Sequence, residues 1–293
     1  MIRIKVPATS ANIGVGFDCM GLAVSLYSTI TFEPSSDKLE IVGCPDEFKN
    51  EDNLVYQAFV KCCNFLNEPV PNVKITIDNT IPVARGLGSS AICIVAGLKG
   101  ANTWFNGPLA NDEILDLATQ MEGHPDNVSP AIYGNLGVSF VDEDQNVQTV
   151  HFNVSPDLHF IAMIPNYKVS TEEARSILPN EMSYSDAIYQ MSHLGALAKA
   201  LELGDMKVIH SAIKDKMHEP YRATLIPDYK QAKEICKNSN GTMYISGSGS
   251  TMMAITADGM AADKIISDAT KAFPDWEIHH LSVDKKGATS EVD

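Results

Sequence analysis

Apolar residues at alternate positions predict short β-strands in the first third of the chain. Residues 2–6 and 73–77 place every second residue, an apolar one, on a single face, which is the pattern of a half-buried strand. Residues 24–33 are rich in β-branched and aromatic side chains and predict a further strand. Apolar residues at helical spacing predict helices at 53–66, 89–103 and 112–121. The first half of the chain is therefore expected to combine a sheet with several helices.

The second half of the chain shows a different order of elements. A polar run at 142–150 predicts a hairpin tip near the end of the first unit, and a strand at 158–164 then precedes several helices. The remaining pattern predicts strands at 242–246, 251–256 and 276–283 and a helix at 258–273. The order β, helices, β, β, α, β is that of a split βαβ, ferredoxin-like domain with extra helices in its first crossover. We expect an α+β chain with domains at 1–155 and 156–293, and a loose tail from Asp284.

Composition narrows the classes of partner. Of the 293 residues 44% are hydrophobic, and 22 basic against 37 acidic residues give a net charge of −15. This balance argues against a nucleic-acid or anionic-membrane binder, although a few amides and cations can still hold an anion locally. The six cysteines show no C-x-x-C spacing, and neither a signal-peptide core nor a membrane span of ~20 apolar residues is evident. We expect a cytoplasmic protein without nucleic-acid or membrane partners.

A glycine- and serine-rich segment at 82–92 carries the strongest chemical signal. Its run Pro-Val-Ala-Arg-Gly-Leu-Gly-Ser-Ser-Ala puts two glycines beside the free N–H groups of a predicted helix start. Such a start can cradle phosphate oxygens, and a serine hydroxyl there can reach a phosphate or Mg²⁺. The segment is neither a Walker A motif, which needs Gly-Lys-Ser/Thr, nor a Rossmann fingerprint. An ordinary turn that caps a buried helix is the structural alternative.

Three further segments combine polar side chains with glycine or proline. Residues 122–127, Glu-Gly-His-Pro-Asp-Asn, follow a predicted helix, and Glu122 is a hard oxygen ligand suited to Mg²⁺. Residues 246–250, Ser-Gly-Ser-Gly-Ser, leave room for a ligand, although a plain hairpin turn also explains them. Residues 7–18, Pro-Ala-Thr-Ser-Ala-Asn-Ile-Gly-Val-Gly-Phe-Asp, follow the first strand and are expected to form a loop that presents hydrogen-bonding groups.

The segments at 7–18, 82–92 and 246–250 resemble, in this order, the three motifs of the GHMP kinases. The runs Glu-Gly-His-Pro-Asp-Asn-Val at 122–128 and His-Glu-Pro-Tyr-Arg-Ala-Thr-Leu-Ile-Pro at 218–227 are most similar to the homoserine kinases of that superfamily. The resemblance implies a two-domain GHMP kinase fold, with a ribosomal-protein-S5-domain-2-like N-terminal half and a ferredoxin-like C-terminal half. Val15 and Ser250 stand where many members have proline, and we expect a looser turn there rather than a lost contact.

The resemblance also implies roles for individual residues. Asn53 would contact the adenine of ATP. The phosphates would be surrounded by Pro82, Val83, Ala84, Arg85, Gly86, Leu87, Gly88, Ser89, Ser90, Ala91 and Ile92. The substrate would contact Asn12, Asp18, His124, Asp126, Asn127, Arg175 and Arg222. Gly247, Ser248 and Gly249 form the third motif, and Glu122 with Ser90 would bind Mg²⁺, although Ser89 is an alternative to Ser90. Arginine suits a substrate carboxylate because its guanidinium forms two parallel, charge-assisted hydrogen bonds.

The implied function is ATP-dependent phosphorylation of L-homoserine to O-phospho-L-homoserine, by direct in-line transfer with Mg²⁺. Related kinases use an aspartate to take the proton of the alcohol, but the matching position here is Asn127, which cannot accept a proton. We expect no carboxylate to act as the base, with Asn127 polarising the hydroxyl. Asp126, one residue away, is the alternative base.

Two other functions stay open at this point. One is another GHMP small-molecule kinase with a mevalonate-like or shikimate-like substrate, and the other is a non-catalytic binding protein of the same fold. Glu122, both serines and Asp18 are present, whereas a degenerate site would be expected to lose its metal ligand. The family resemblance also implies a homodimer.

Overall fold

Two sheets, each covered by helices, make up the computed structural model, which describes residues 1–79 and 81–293. The strands in the described residues are β1 (Ile2–Asn12), β2 (Gly16–Pro34), β3 (Leu39–Val42), β4 (Val73–Asn79), β5 (Leu136–Val141), β6 (Val147–Phe152), β7 (His159–Ile164), β8 (Thr242–Ile245), β9 (Met252–Thr256), β10 (Glu277–Leu281) and β11 (Thr289–Val292). The α-helices are α1 (Leu54–Phe65), α2 (Ser89–Trp104), α3 (Asn111–Glu122), α4 (Pro125–Tyr133), α5 (Thr171–Ser176), α6 (Tyr184–Leu203), α7 (Met206–Ala212), α8 (Glu219–Arg222), α9 (Tyr229–Asn238) and α10 (Gly259–Ala272). None of the helices described combines the length and apolar character needed to cross a membrane.

The larger sheet has seven strands and carries α2 and α4 against β1 and β2. Its strand order is β11-β1-β2-β4-β3, and β5 and β6 extend it from β2. The apolar face predicted at 2–6 is buried, and of that at 73–77 Val73 and Ile75 are buried and Ile77 is partly buried. Phe32 of β2 stacks on Phe59 of α1 with 5.4 Å between ring centroids. Burial of such faces is the main favourable contribution to folding. The sheet thus gives α2 and α4 a rigid support.

Strands β1 and β2 are longer than their sequence pattern predicts. Residues 8–12 continue β1 as a strand, so the loop expected directly after residue 6 is confined to the turn at 13–15. The alternation of apolar and polar residues stops after residue 6 because Thr9, Ser10 and Asn12 are polar although buried. The pairing with β2 also shifts register between Pro7 and Ala8. This buried polar end of β1 lies at the candidate site described below.

The smaller sheet has four antiparallel strands in the order β10-β7-β9-β8. Helices α5 to α9 connect β7 to β8, and α10 connects β9 to β10, which confirms the predicted ferredoxin-like order β, helices, β, β, α, β. Ser170 and Ser183 cap α5 and α6, since their hydroxyls accept hydrogen bonds from the backbone N–H groups of Glu173 and Asp186. The α+β prediction is therefore correct.

The expectation of a loose tail from Asp284 is wrong. Strand β11 pairs antiparallel with β1 at the edge of the larger sheet, with Ile2 opposite Val292. Asp284 is buried, and its Oδ1 accepts hydrogen bonds from the backbone N–H groups of Lys286 and Gly287. The strand signal was missed because β11 has only four residues, most of them exposed, and therefore lacks an apolar alternation. The chain end thus returns to the sheet that the N-terminus begins.

Candidate active site

One cleft gathers residues from all five segments that the sequence singled out, at 7–18, 82–92, 122–128, 218–227 and 246–250. The N-termini of α2 and α4 both open onto this cleft, together with the end of β1 and the turn after β8. Its lining is Asn12, Asp18, Ala84, Gly86, Gly88, Ser89, Ser90, Glu122, His124, Asp126, Asn127, Thr171, Arg175, Arg222, Gly247 and Ser248. Residues far apart in sequence are hydrogen-bonded here, since the Asn12 side chain donates to the backbone carbonyl oxygen of Gly247, 235 positions away.

The glycines of the 82–92 loop allow the close backbone packing that shapes this cleft. Gly88 is the N-cap of α2 and has a left-handed φ of 68°. Gly86 also has a positive φ, and a Cβ there would lie 2.1 Å from the carbonyl oxygen of Ser246. Since Gly88 has no side chain with which to cap the helix, the first N–H groups of α2 are left to face a ligand. This helix end is suited to an anion.

Only part of the 82–92 loop lines the cleft. Ala84, Gly86, Gly88, Ser89 and Ser90 do so, whereas Leu87, Ala91 and Ile92 are buried in the core and Val83 is exposed. The Arg85 guanidinium does not line it either, because it donates to the carbonyl oxygens of Pro165 at 3.0 Å and Asn166 at 2.9 Å. Arg85 thus ties the loop to the segment after β7, and amides rather than this cation face the cleft.

We predict that Gly88→Ala destabilises the protein through a clash in this loop. A Cβ at position 88 would lie 2.0 Å from Thr9 Oγ1 and 3.1 Å from Asn127 Oδ1, in a backbone conformation that alanine adopts poorly. We expect the free energy of unfolding to fall by about 3 kcal/mol. Gly107→Ala is the matched control, because its φ is 69° but nothing lies within 4 Å of the added Cβ, and we expect a loss of about 1 kcal/mol. Equal losses in urea denaturation would contradict the prediction.

Ser90 and Glu122 form a pair of oxygen donors beside the helix end. The Ser90 hydroxyl donates to Glu122 Oε2 at 2.7 Å. Burial raises the pKa of the Glu122 carboxyl, although the bond from Ser90 and the nearby His124 work in the opposite direction. A hydroxyl and a carboxylate are ligands that Mg²⁺ accepts, and the remaining positions of such an ion suit phosphate oxygens and water. Ser89 is oriented differently, since its hydroxyl accepts the N–H of Ala84 at 3.5 Å.

His124, Asp126 and Asn127 lie together at the start of α4. His124 Nδ1 and Asp126 Oδ1 are 2.5 Å apart. Burial alone would lower the pKa of His124, but the hydrogen bond and charge of Asp126 outweigh it, so the pKa is raised. The Asn127 carbonyl oxygen accepts the Thr9 hydroxyl at 2.7 Å, and its NH₂ group lies 3.4 Å from Asp126 Oδ1. The amide NH₂ of Asn127 therefore keeps a second N–H for a ligand.

Two arginines and one aspartate form the charged end of the cleft. Arg175 binds Asp18 through two parallel hydrogen bonds of 2.8 and 3.0 Å, a geometry that a carboxylate ligand could equally adopt. Arg222 is buried, and its guanidinium donates to the carbonyl oxygens of Gly247 at 2.9 Å and Ala174 at 3.2 Å. Burial lowers the pKa of Arg222 to about 10, so its charge persists at neutral pH. Both guanidinium carbons lie over the Phe17 ring, at 5.5 and 5.0 Å from its centroid.

The turn at 246–250 is tied to β1 and to the 82–92 loop. Asn12 Nδ2 donates to the carbonyl oxygen of Gly247 at 2.9 Å, and the Ser246 hydroxyl donates to that of Gly86 at 2.6 Å. Gly247 and Ser248 line the cleft, whereas Gly249 packs toward Ile226. The turn is therefore more than a link between two strands, because it forms one wall of the cleft.

Asn53 has a different position from the other predicted site residues. It is the N-cap of α1, buried, with its carbonyl oxygen accepting the N–H of Val55 and its NH₂ donating to the carbonyl oxygen of Phe48. Its side chain therefore stabilises a helix start and does not line the cleft. The contact with adenine stays a prediction that its hydrogen bonds do not favour.

Two residues of the site were missing from the predicted set. Thr171, the first residue of α5, lines the cleft directly after the N-cap residue Ser170. Thr9 orients the amide of Asn127 from within β1. A buried threonine in a strand gives no local signal of its own, so only its position inside the 7–18 segment pointed to it.

The two halves of this fold are recognised separately by family models. The model described as GHMP kinases N terminal domain matches residues 53–135, and that described as GHMP kinases C terminal matches residues 197–275. Together with the cleft between a glycine-rich helix start and a second glycine turn, these matches define a GHMP kinase, and the protein is an enzyme of the kinase class.

Full-length relatives narrow the family further. The chain is 41% identical to the homoserine kinase of Clostridium botulinum strain 657, with 98% of this chain and 97% of that protein covered. It is 38% identical to the homoserine kinase of Clostridium beijerinckii, with 99% and 98% covered. A solved homoserine kinase structure from Cytophaga hutchinsonii superposes with a TM-score of 0.89 at 27% identity, over 99% of this chain and 97% of that one. The chain belongs to the homoserine kinase family.

Proposed function

We propose that this protein transfers the γ-phosphoryl group of ATP to the side-chain hydroxyl of L-homoserine, forming O-phospho-L-homoserine on the route to threonine. The observation that carries the proposal is that one cleft contains both an anion-binding helix start and a paired cation and anion, Arg175 and Asp18. The helix start suits a phosphate chain, and the charge pair matches the two opposite charges of an α-amino acid.

The charged end of the cleft accounts for recognition of the amino-acid part. Arg175 and Arg222 would bind the substrate carboxylate, and the cluster of Asp18, His124 and Asp126, whose ligand atoms lie within 4.8 Å of one another, would surround its ammonium group with Asn12. In the free enzyme Asp18 and Arg175 neutralise each other. A zwitterion can replace this pair by two new pairs with no net change of charge, which limits the desolvation cost of binding.

The opposite end of the cleft would hold ATP. The amides at the start of α2 and the loop from Pro82 to Ile92 would contact the phosphates. Ser90 and Glu122 fit Mg²⁺, since both offer oxygen ligands and already lie within 2.7 Å of each other. When bound, that ion would neutralise charge that develops on the transferring phosphoryl group.

Asn127 would activate the hydroxyl of the substrate. Its NH₂ group would donate a hydrogen bond to the hydroxyl oxygen and so stabilise negative charge that builds up there during transfer. Asn127 cannot take the proton, and Asp126 Oδ1 is already engaged by His124. The proton would therefore pass to the γ-phosphate or to solvent, with no carboxylate base.

The family resemblance is the support for the proposed cellular setting and assembly. We propose a cytoplasmic enzyme that acts as a homodimer on ATP and L-homoserine, with its two domains meeting near residue 155. Equilibrium ultracentrifugation tests the dimer directly.

One assay tests the proposed function against its alternatives. Consumption of Mg-ATP is measured with L-homoserine, mevalonate, galactose and shikimate in parallel, and we expect turnover only with L-homoserine. Turnover of another alcohol with none of homoserine would identify a different GHMP kinase. Binding of ATP without turnover of any substrate would indicate the non-catalytic alternative.

A further inference from the structure

Glu219 is a buried carboxylate that does not line the active-site cleft. Glu219 faces a separate cavity, which Tyr229 and Lys233 also line, and it is only 6% exposed. Burial raises the pKa of Glu219 to about 7, although the hydrogen bond from Ile245 opposes that shift. A carboxyl group in the interior carries a desolvation cost unless hydrogen bonds compensate for it.

The helix that carries Glu219 is fixed at its N-terminus by a second buried carboxylate. Asp215 Oδ2 accepts the backbone N–H groups of Met217, His218 and Glu219 at 3.0, 2.7 and 2.7 Å. Its Oδ1 accepts the side chain of Gln190 in α6 at 2.6 Å. The short helix α8 is therefore held by α6 and does not depend on its own four residues for its position.

Helix α8 holds the 246–250 turn from two sides. Glu219 Oε1 accepts the N–H of Ile245, the last residue of β8, at 2.5 Å. One turn of helix later, Arg222 donates to the carbonyl oxygen of Gly247 at 2.9 Å. We propose that Glu219 is a positioning residue, which sets the distance between α8 and this turn and thereby aims the Arg222 guanidinium at the substrate carboxylate.

His218 extends this arrangement to the segment around Asp18. Its Nε2 donates to the carbonyl oxygen of Gly14 at 2.8 Å, and its ring stacks on Phe17 with 5.2 Å between centroids. Phe17 in turn lies beneath the Arg222 guanidinium. Residues 215–222 thus connect α6, the turn after β1 and the turn after β8. Glu219, through Ile245, and Arg222, through Gly247, supply the contacts to the last of these.

The kinetic test, which rests on the proposed function, compares two side chains of similar length at position 219. Glu219→Gln keeps a carbonyl oxygen for the Ile245 N–H, whereas Glu219→Met keeps the length and removes the acceptor. We expect the KM for homoserine to rise about tenfold in Glu219→Met, since one mispositioned charged contact is worth about a factor of ten. In Glu219→Gln the KM for homoserine should change less than about twofold. The KM for ATP should stay unchanged in both variants. Glu234→Met, an exposed change on α9, is the control.

Amide hydrogen exchange gives a readout that does not depend on the substrate. In Glu219→Met the peptide that contains Ile245 to Ser250 is expected to exchange faster, while Glu219→Gln and the control keep the rate of the original protein. A lower melting temperature with unchanged homoserine KM and unchanged exchange would overturn the positioning role. If the original protein does not phosphorylate homoserine at all, the proposed function fails, and the exchange result alone decides whether Glu219 fixes the turn.

Discussion

Replacement of Glu122 by glutamine is expected to lower kcat for homoserine phosphorylation by about 10³-fold with the fold intact. The Glu122 carboxylate and the Ser90 hydroxyl are 2.7 Å apart, beside the helix end proposed for the phosphates. Glutamine keeps the size of the side chain and an acceptor for Ser90, but it lacks the negative charge that holds a divalent cation. The loss is therefore expected in turnover and in the Mg²⁺ concentration needed for half-maximal rate.

Steady-state rates at increasing Mg²⁺ test this prediction. The control is Glu68→Gln, the same chemical change at an exposed position after α1, and it should leave the rates unchanged. Circular dichroism and thermal melting check that the Glu122 variant is folded. A Glu122→Gln enzyme with unchanged dependence on Mg²⁺ would show that this carboxylate is not a metal ligand.

The acidic balance of the chain makes the local geometry of the cleft decisive. At a net charge of −15 the protein offers no long-range attraction to ATP, and the cation of the glycine loop, Arg85, is engaged by two carbonyl oxygens. Binding of the phosphates would therefore depend on the amides at the start of α2 and on a divalent ion. The close packing that shapes this helix start requires Gly86 and Gly88, since an added Cβ would meet the Ser246 carbonyl oxygen or the Thr9 hydroxyl.

The sequence predicted the elements better than the contacts between them. Helices such as α1 and α2 have apolar residues at regular spacing, so their bounds are correct within one or two residues. Strand β11 and the end of β1 were missed because their stability comes from pairing and burial of polar groups, which leave no periodic pattern.

In the candidate site, too, the segments were predictable from the sequence and the contacts between them were not. Glycine and polar runs identified the segments that meet in the cleft, but they could not show that Arg85 turns away from it or that Asn53 caps a helix. Those outcomes depend on which backbone carbonyls happen to lie nearby, a property of the tertiary structure. Glu219 is a similar case, since its partner Ile245 lies 26 residues further along the chain.

Replacement of Asn127 by alanine is expected to lower kcat by about 10²–10³-fold, the usual effect of removing one hydrogen-bond donor aimed at developing charge. The variant also leaves the Thr9 hydroxyl without its acceptor, so the free energy of unfolding should fall by about 1–3 kcal/mol. Turnover must therefore be measured well below the melting temperature of the variant.

Asp126→Asn is the informative counterpart, because it removes the only carboxylate next to Asn127 in the chain while keeping an oxygen for His124. A general base is worth about 10²–10⁴-fold, so a mechanism without one predicts that kcat falls by less than about tenfold. The KM for homoserine should rise, since Asp126 would face the ammonium group. Binding is measured by calorimetry with a non-hydrolysable ATP analogue present. If Asp126→Asn abolishes turnover and leaves homoserine binding intact, Asp126 is the base, and the role given to Asn127 is reduced to orienting its neighbour.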